Sequence, residues 1–152
     1  MQKTTRVSWR RVQELAKLLA RKVRARKFRP DCIVGVTVGG LVPLALLAGE
    51  LGTKDVATIS VRSYGRRRKG KLRVTALPKV DLRGKKVLLV DEIVDGGHTL
   101  RHVSHILKRD YGAAEVRAAT LVLKKKDRVF TPDFYVLEVG AWVVFPWEFP
   151  HG

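Results

Sequence analysis

Residues 87–100 read VLLVDEIVDGGHTL, and the fold depends on how this stretch is read. Val87 to Val90 form an apolar run of buried-strand type, bounded upstream by Arg83-Gly84-Lys85-Lys86. Two carboxylates, Asp91 and Glu92, close the run, and a third, Asp95, comes three positions on. Gly96-Gly97-His98-Thr99 then leads into a predicted helix, because Leu100, Val103, Ile106 and Leu107 recur at helical spacing. Acids and glycines therefore gather where the carboxyl end of a strand meets the amino end of a helix. Open α/β sheets bind ligands at that place, since loop amides and the helix dipole favour a phosphate. Carboxylates beside an anion site can accept hydrogen bonds from sugar hydroxyls, help hold a divalent cation, or take a proton. A sugar phosphate uses all three.

Working outward, the same pattern repeats. Asp31 to Thr37 (DCIVGVT) is a second buried-strand candidate, followed by Val38-Gly39-Gly40-Leu41-Val42-Pro43 and a helix that runs to about Glu50, with Gly52 as its stop. Val56 to Arg62 alternates as a strand does, and Val116 to Leu123 is a further apolar run; Phe134 to Val139 also reads as a strand. Leu72 to Leu77 is expected to pair back as a short strand. Ser8 is placed to cap a helix carrying Trp9, Val12, Leu15, Ala16, Leu19 and Val23 on one face. Its other face is almost wholly basic. Helices alternating with strands indicate an α/β fold with a mainly parallel sheet.

At 152 residues the chain has one domain's length and enough apolar content for a core. No apolar run approaches the ~18 residues of a membrane span, and the N-terminal MQKTTRVSWRR lacks the apolar centre of a signal peptide, so a cytoplasmic protein is expected. Cys32 is the sole cysteine, which excludes an internal disulfide and a cysteine-cluster metal site. The net charge of +17 is the outlying quantity. It suits polyanionic or phosphate-rich ligands, with nucleic acid a secondary partner for the basic surface. Asparagine is absent and charge is abundant, which hints at a thermophilic source.

Asp91-Glu92-Ile93-Val94-Asp95-Gly96-Gly97-His98-Thr99 resembles the phosphoribosyl-pyrophosphate (PRPP) motif of type I phosphoribosyltransferases: a hydrophobic strand, two acids, two variable residues, then Asp-Thr-Gly-x-Thr. Gly96 stands where that family usually has threonine. The run Gly39 to Pro43 is similar to the pyrophosphate loop of bacterial xanthine-guanine phosphoribosyltransferases, with Val38 in place of their arginine. Trp142 and the triplet Pro146-Trp147-Glu148 match the spacing of the same enzymes, and Lys124 comes after a strand as their purine-binding lysine does.

The resemblance implies the type I phosphoribosyltransferase fold: a five-stranded, mainly parallel sheet flanked by helices. It implies one domain over residues 1–152, with a core at about 8–127 and a small hood mainly at 128–152. It implies transfer of the phosphoribosyl group from PRPP to a 6-oxopurine in purine salvage, with adenine or a nucleotide-sensing regulator that binds nucleic acid as alternatives. Asp95 is then the base or acceptor at purine N7. Asp95, Gly96, Gly97, His98 and Thr99 hold the 5′-phosphate; Asp91 and Glu92 take the ribose hydroxyls, with Glu92 beside Mg2+. Val38, Gly39, Gly40 and the basic loop residues Arg66, Arg67 and Arg68 face pyrophosphate, and Ser63-Tyr64 open the loop that closes over the site. Lys124, Trp142, Val143 and Glu148 surround the purine. Magnesium, brought with the pyrophosphate, is the expected metal, not zinc on His98, His102 and His105. A homodimer or homotetramer is implied as well.

Overall fold

The computed structural model describes residues 3–64 and 71–148. In chain order the elements are β1 (Thr4–Arg6), α1 (Trp9–Ala25), β2 (Cys32–Thr37), α2 (Leu41–Leu51), β3 (Val56–Tyr64), β4 (Lys71–Ala76), β5 (Lys86–Val94), α3 (His98–Arg109), β6 (Glu115–Lys124), β7 (Phe134–Val139) and β8 (Trp142–Val144). Six of the strands form one sheet in the order β4-β3-β2-β5-β6-β7. The four strands expected to alternate with helices, β2, β3, β5 and β6, pair in parallel, and β7 joins them in parallel on β6. The sixth, β4, pairs back antiparallel on β3 and extends the edge.

Because side chains alternate across a strand, β5 feeds both faces of the sheet. Leu88 and Val90 pack among the residues of α1 and α2, including Leu15, Leu19, Leu44 and Leu47. Val87 and Leu89 pack on the other side with Leu100, Val103 and Leu107 of α3. Burial on both faces is why the parallel strands read as unbroken apolar runs. Ser8 caps α1 as its sequence foretells, its hydroxyl accepting from the Arg11 amide at 3.1 Å. Gly52 ends α2 in the left-handed conformation, φ 67°. No described helix is long and apolar enough to cross a membrane.

Three expectations shift. Asp91 and Glu92 lie within β5, not beyond it, because pairing with β6 continues to Val94 opposite Leu123. Trp9 is half-exposed, so it does not join the buried stripe of α1; its ring instead lies 5.9 Å from that of Trp147. β7, inside the stretch assigned mainly to a hood, is an edge strand of the main sheet. After β7, the short strand β8 pairs in parallel with β1, Thr4 opposite Trp142 and Arg6 opposite Val144. The N-terminal residues thus complete a small sheet whose other strand lies near the far end of the chain. Val143 and Phe145 anchor it in the α1 core.

The strand order sets the position of the site. From β2 the chain crosses through α2 to β3 on one side, and from β5 through α3 to β6 on the other. Neighbouring strands β2 and β5 therefore send their connections apart, opening a crevice at their carboxyl ends. This is the topological switch point of a doubly wound sheet. Thr37–Gly40 leaves β2 there, and Asp95–Gly97 leaves β5.

Candidate active site

A cavity of about 960 Å³ lies at this switch point, lined by Asp91 to Leu100 together with Ser63, Lys71, Leu72 and His102. All residues of the acid-glycine motif share one wall. The loop after β2 closes the other strand's end, with a cis peptide between Thr37 and Val38. Val38 itself is 73% exposed.

The glycines are set by close approach. A Cβ on Gly39 would coincide with the Glu92 carboxylate, so the loop after β2 and the acid pair of β5 are fitted to each other. A Cβ on Gly40 would lie 2.6 Å from Val36 O and 2.8 Å from Val90 O, both backbone atoms of the sheet. Those atoms cannot yield without breaking strand pairing. Gly40→Ala is expected to destabilise the fold by about 2–3 kcal/mol. Thermal unfolding should show this as a midpoint lowered by roughly 5–10 °C; an unchanged midpoint would mean that the two strands tolerate the wedge.

Asp91 and Glu92 form a partly buried pair, the Glu92 amide donating to Asp91 Oδ1 at 2.9 Å. Burial pushes the Asp91 carboxyl up to about 7, against the hydrogen bonds it receives from Glu92. Burial again, then the neighbouring Asp91 charge and the more distant Glu148, lift Glu92 to about 9. The pair therefore retains a proton at neutral pH. A cation or a set of hydroxyl donors would displace it, since two adjacent carboxylates without partners repel each other. Oxygen donors of this kind suit Mg2+, which is commonly held by one or two carboxylates plus substrate phosphates. Among the described residues no group of three His, Cys, Asp or Glu side chains comes together to hold a metal.

Asp95 is exposed at the exit of β5, and the Lys126 ammonium lies 3.0 Å from its Oδ1. The segment carrying Lys126 is itself braced. Val129 N donates to Gly96 O at 2.9 Å, and Arg128 donates to the carbonyls of Lys124 and Lys126. Gly97, at φ 87°, has no room for a side chain because Phe130 O would lie 2.7 Å from it. Lys124, at the end of β6, sits with Nζ 5.2 Å from the centre of the half-exposed Trp142 ring. Lys125 is exposed. Val143 is buried, and Glu148 accepts from the Phe145 amide at 2.8 Å. Tyr64 is 45% exposed, with the Arg73 guanidinium 4.8 Å from its ring centre. Arg66, Arg67 and Arg68 lie outside the described residues.

Two residues in this setting carry no signal of their own in the sequence. Lys71 comes from β4, and Lys126 from the turn after β6; both are cations among many. His102 repeats His98 at a spacing of four, which was legible, but its cavity was not.

The phosphoribosyl transferase domain family matches residues 8–152. The chain is 35% identical over 144 residues to the xanthine-guanine phosphoribosyltransferase of Chromohalobacter salexigens, covering 93% of this chain and 82% of that one. Against the enzyme of the same name from Cereibacter sphaeroides it is 33% identical over 151 residues, with coverage of 93% and 85%. The crystal structure of a purine phosphoribosyltransferase from Pyrococcus horikoshii superposes with a TM-score of 0.86 at 36% identity, covering 97% of this chain and 96% of that one.

Proposed function

The chain belongs to the phosphoribosyl transferase domain family, and from that premise we propose that it transfers the 5-phosphoribosyl group of PRPP to a 6-oxopurine (guanine, xanthine or hypoxanthine). The products are the purine nucleoside monophosphate and pyrophosphate. One observation carries this reading: a single cavity wall at the switch point bears the adjacent carboxylates Asp91 and Glu92, the exposed Asp95 and the Gly96–Thr99 turn. The relatives, named for xanthine, guanine or purine, support the choice of base.

In the reaction, the bond between the ribose anomeric carbon and the pyrophosphate oxygen breaks, and its electron pair leaves with pyrophosphate. A purine ring nitrogen supplies the pair for the new carbon–nitrogen bond, and its proton passes to Asp95. Gly96 to Thr99 hold the 5′-phosphate through main-chain amides and the Thr99 hydroxyl. Asp91 and Glu92 accept from the ribose hydroxyls and fix the sugar. Glu92 would hold Mg2+, which would supply charge neutralisation for the departing pyrophosphate. Val38 to Gly40 line the pyrophosphate side, and the basic residues Arg66 to Arg68 supply the positive charge that Val38 lacks. Closure of the segment that begins at Ser63-Tyr64 excludes water from an oxocarbenium-like sugar.

Trp142 offers an exposed indole face for the base, and Val143 and Glu148 read its edge through main-chain groups. The Lys124 ammonium lies over that face and moves to the base edge, where it donates to the 6-oxo group. An ammonium has donors only, so an exocyclic amine at the same place meets an unpaired charge. Pyrophosphate release from PRPP and Mg2+ should therefore appear with guanine, xanthine or hypoxanthine and not with adenine. Lys124→Met is expected to lower kcat/KM for the 6-oxopurines by about 10- to 100-fold. Turnover with adenine alone would overturn the choice of base. Nucleotide binding without turnover of any base would favour a nucleotide-sensing regulator.

A further inference from the structure

The basic face of α1 takes no part in the cavity at the switch point. Between Ser8 and Pro30 stand nine arginines and lysines and one acid, Glu14. The apolar stripe of the helix, Val12 to Val23, is buried in the core, and all nine cations are exposed.

Helix stability does not account for them. The amino end of a helix disfavours positive charge, yet Arg10 and Arg11 occupy a first turn that holds no acid. Lys17 and Arg21 stand one turn apart, where like charges repel. Heat-stable proteins gather their charges into ion-pair networks. Among the described residues there are five ion pairs, and Arg11–Glu14 is the one on α1. Arg11, Lys22 and Arg24 also find hydrogen-bond acceptors. Among the described residues the side chains of Arg10, Lys17 and Arg21 find none.

Steering of a substrate does not account for them either. Beyond the helix the basic run reaches a second cavity, of about 600 Å³, whose lining includes Arg24, Arg29 and Lys54. Pro30-Asp31 and Thr53-Lys54 lead into the amino ends of β2 and β3, whereas the candidate active site lies at the carboxyl ends. Asp31, the acid in this lining, is engaged, its Oδ2 accepting from the Lys86 amide at 2.8 Å. The charge thus follows α1 away from the active site.

An unpartnered row of cations suits a polyanion. A helix that lies on a membrane needs a free apolar face, and that of α1 is in the core. Of its large apolar residues between Arg10 and Arg24, Leu18 is the one exposed, at 38%. Protein partners favour aromatic anchors and few lysines, and single-stranded nucleic acid stacks its bases on aromatic rings. No aromatic residue lies between Arg10 and Lys27. Duplex RNA is recognised by shape and through its 2′-hydroxyls, and Gln13 is the one neutral polar side chain in that stretch. Phosphate contact alone remains, which matches the regular backbone of duplex DNA. From Arg10 to Arg24 the helix rises ~21 Å, alongside about six phosphates of one strand.

We propose that the basic face of α1, continued by Arg29 and Lys54, docks duplex DNA through its phosphates without regard to sequence. This surface is separate from the transfer chemistry and does not depend on it.

Fluorescence anisotropy of a labelled DNA duplex of arbitrary sequence, titrated at several KCl concentrations, tests the surface. Wild-type protein is expected to bind with a micromolar Kd at about 0.1 M salt, and log Kd should rise with log salt at a slope of about 4–5. Arg10→Gln/Lys17→Gln/Arg21→Gln should weaken binding by about 10-fold or more and lower that slope by about 2–3. Its unfolding midpoint should hold or rise, since repulsion is relieved, and its pyrophosphate release should be unchanged. Lys79→Gln/Arg83→Gln/Lys108→Gln removes the same charge from the α3 side of the sheet. That control should bind DNA within about threefold of wild type. Should the first triple variant fail to fold, Lys17→Gln alone should still lower the slope by about one. Equal losses in the two triple variants would reduce the binding to net charge and overturn the proposal. So would the absence of binding at about 0.05 M salt, or tighter binding of duplex RNA or single-stranded DNA by about 10-fold. A first triple variant that loses anionic phospholipid vesicles but keeps DNA would assign the face to a membrane instead.

Discussion

Asp95→Asn is expected to lower kcat for transfer to a 6-oxopurine by about 10²- to 10⁴-fold, the range for removing a positioned proton acceptor. Asparagine keeps the size of the side chain and can still accept a hydrogen bond, but it cannot take a proton at neutral pH. The fold should be indifferent to the change. Asp95 lies beyond the last residue of β5, and its ion pair with Lys126 is about half-exposed on both sides. Such a pair contributes at most about 1 kcal/mol. Steady-state kinetics with guanine and hypoxanthine, alongside the unfolding midpoint, separate the two roles. A kcat within about threefold of wild type would remove Asp95 from proton transfer.

Glu92→Gln is expected to move activity and stability in opposite directions. The native carboxyls of Asp91 and Glu92 sit above their unfolded values, reaching about 7 and about 9. Between the ordinary carboxylate range and those values the native state binds more protons than the unfolded chain. Stability therefore falls as pH rises through that window, most steeply below about pH 7, where the native pair still holds both protons. Glutamine removes one of the two charges, so the variant should gain on the order of 1 kcal/mol above about pH 7, roughly 2–4 °C in unfolding midpoint. The same change removes a ribose acceptor and the carboxylate nearest Mg2+. We expect kcat/KM to fall by about 100-fold or more. The wild-type pair must also release protons when Mg2+ and PRPP bind, and Glu92→Gln must release fewer. Calorimetry in two buffers of different ionisation enthalpy counts them. Lower stability of Glu92→Gln at alkaline pH would show that the carboxylate is satisfied by its surroundings.

Both predictions concern residues that local pattern identified, in settings that local pattern did not contain. The triple acid and the glycine pair were legible because a strand end, a tight turn and a helix start each depend on residues within a few positions. Ser8 as a cap and Gly52 as a stop belong to the same class: a side chain or a positive φ acting on its own helix terminus. Strand edges were less legible. β5 outlasts its apolar run because pairing with β6 carries Asp91 to Val94 along, and no periodicity within the run itself announces that. β1 is three exposed residues with no pattern, and becomes a strand only because β8 lies alongside it.

By itself the sequence determined the alternation of apolar strands and amphipathic helices, the parallel sheet this requires, and the chemistry gathered after Val90. Each arises from short-range sterics, hydrogen bonding and burial, which the order of residues already contains. Tertiary structure alone decided which distant groups meet. Gly39 must be bare because Glu92 of the adjacent strand fills the space beside it. Among the described residues Lys126 is the cation that reaches Asp95, and Lys124 lies over Trp142. Those meetings depend on strand order and on the switch point between β2 and β5, where chain connections diverge. The raised carboxyls of Asp91 and Glu92 have the same origin: burial lifts both, and burial is a property of the packed sheet.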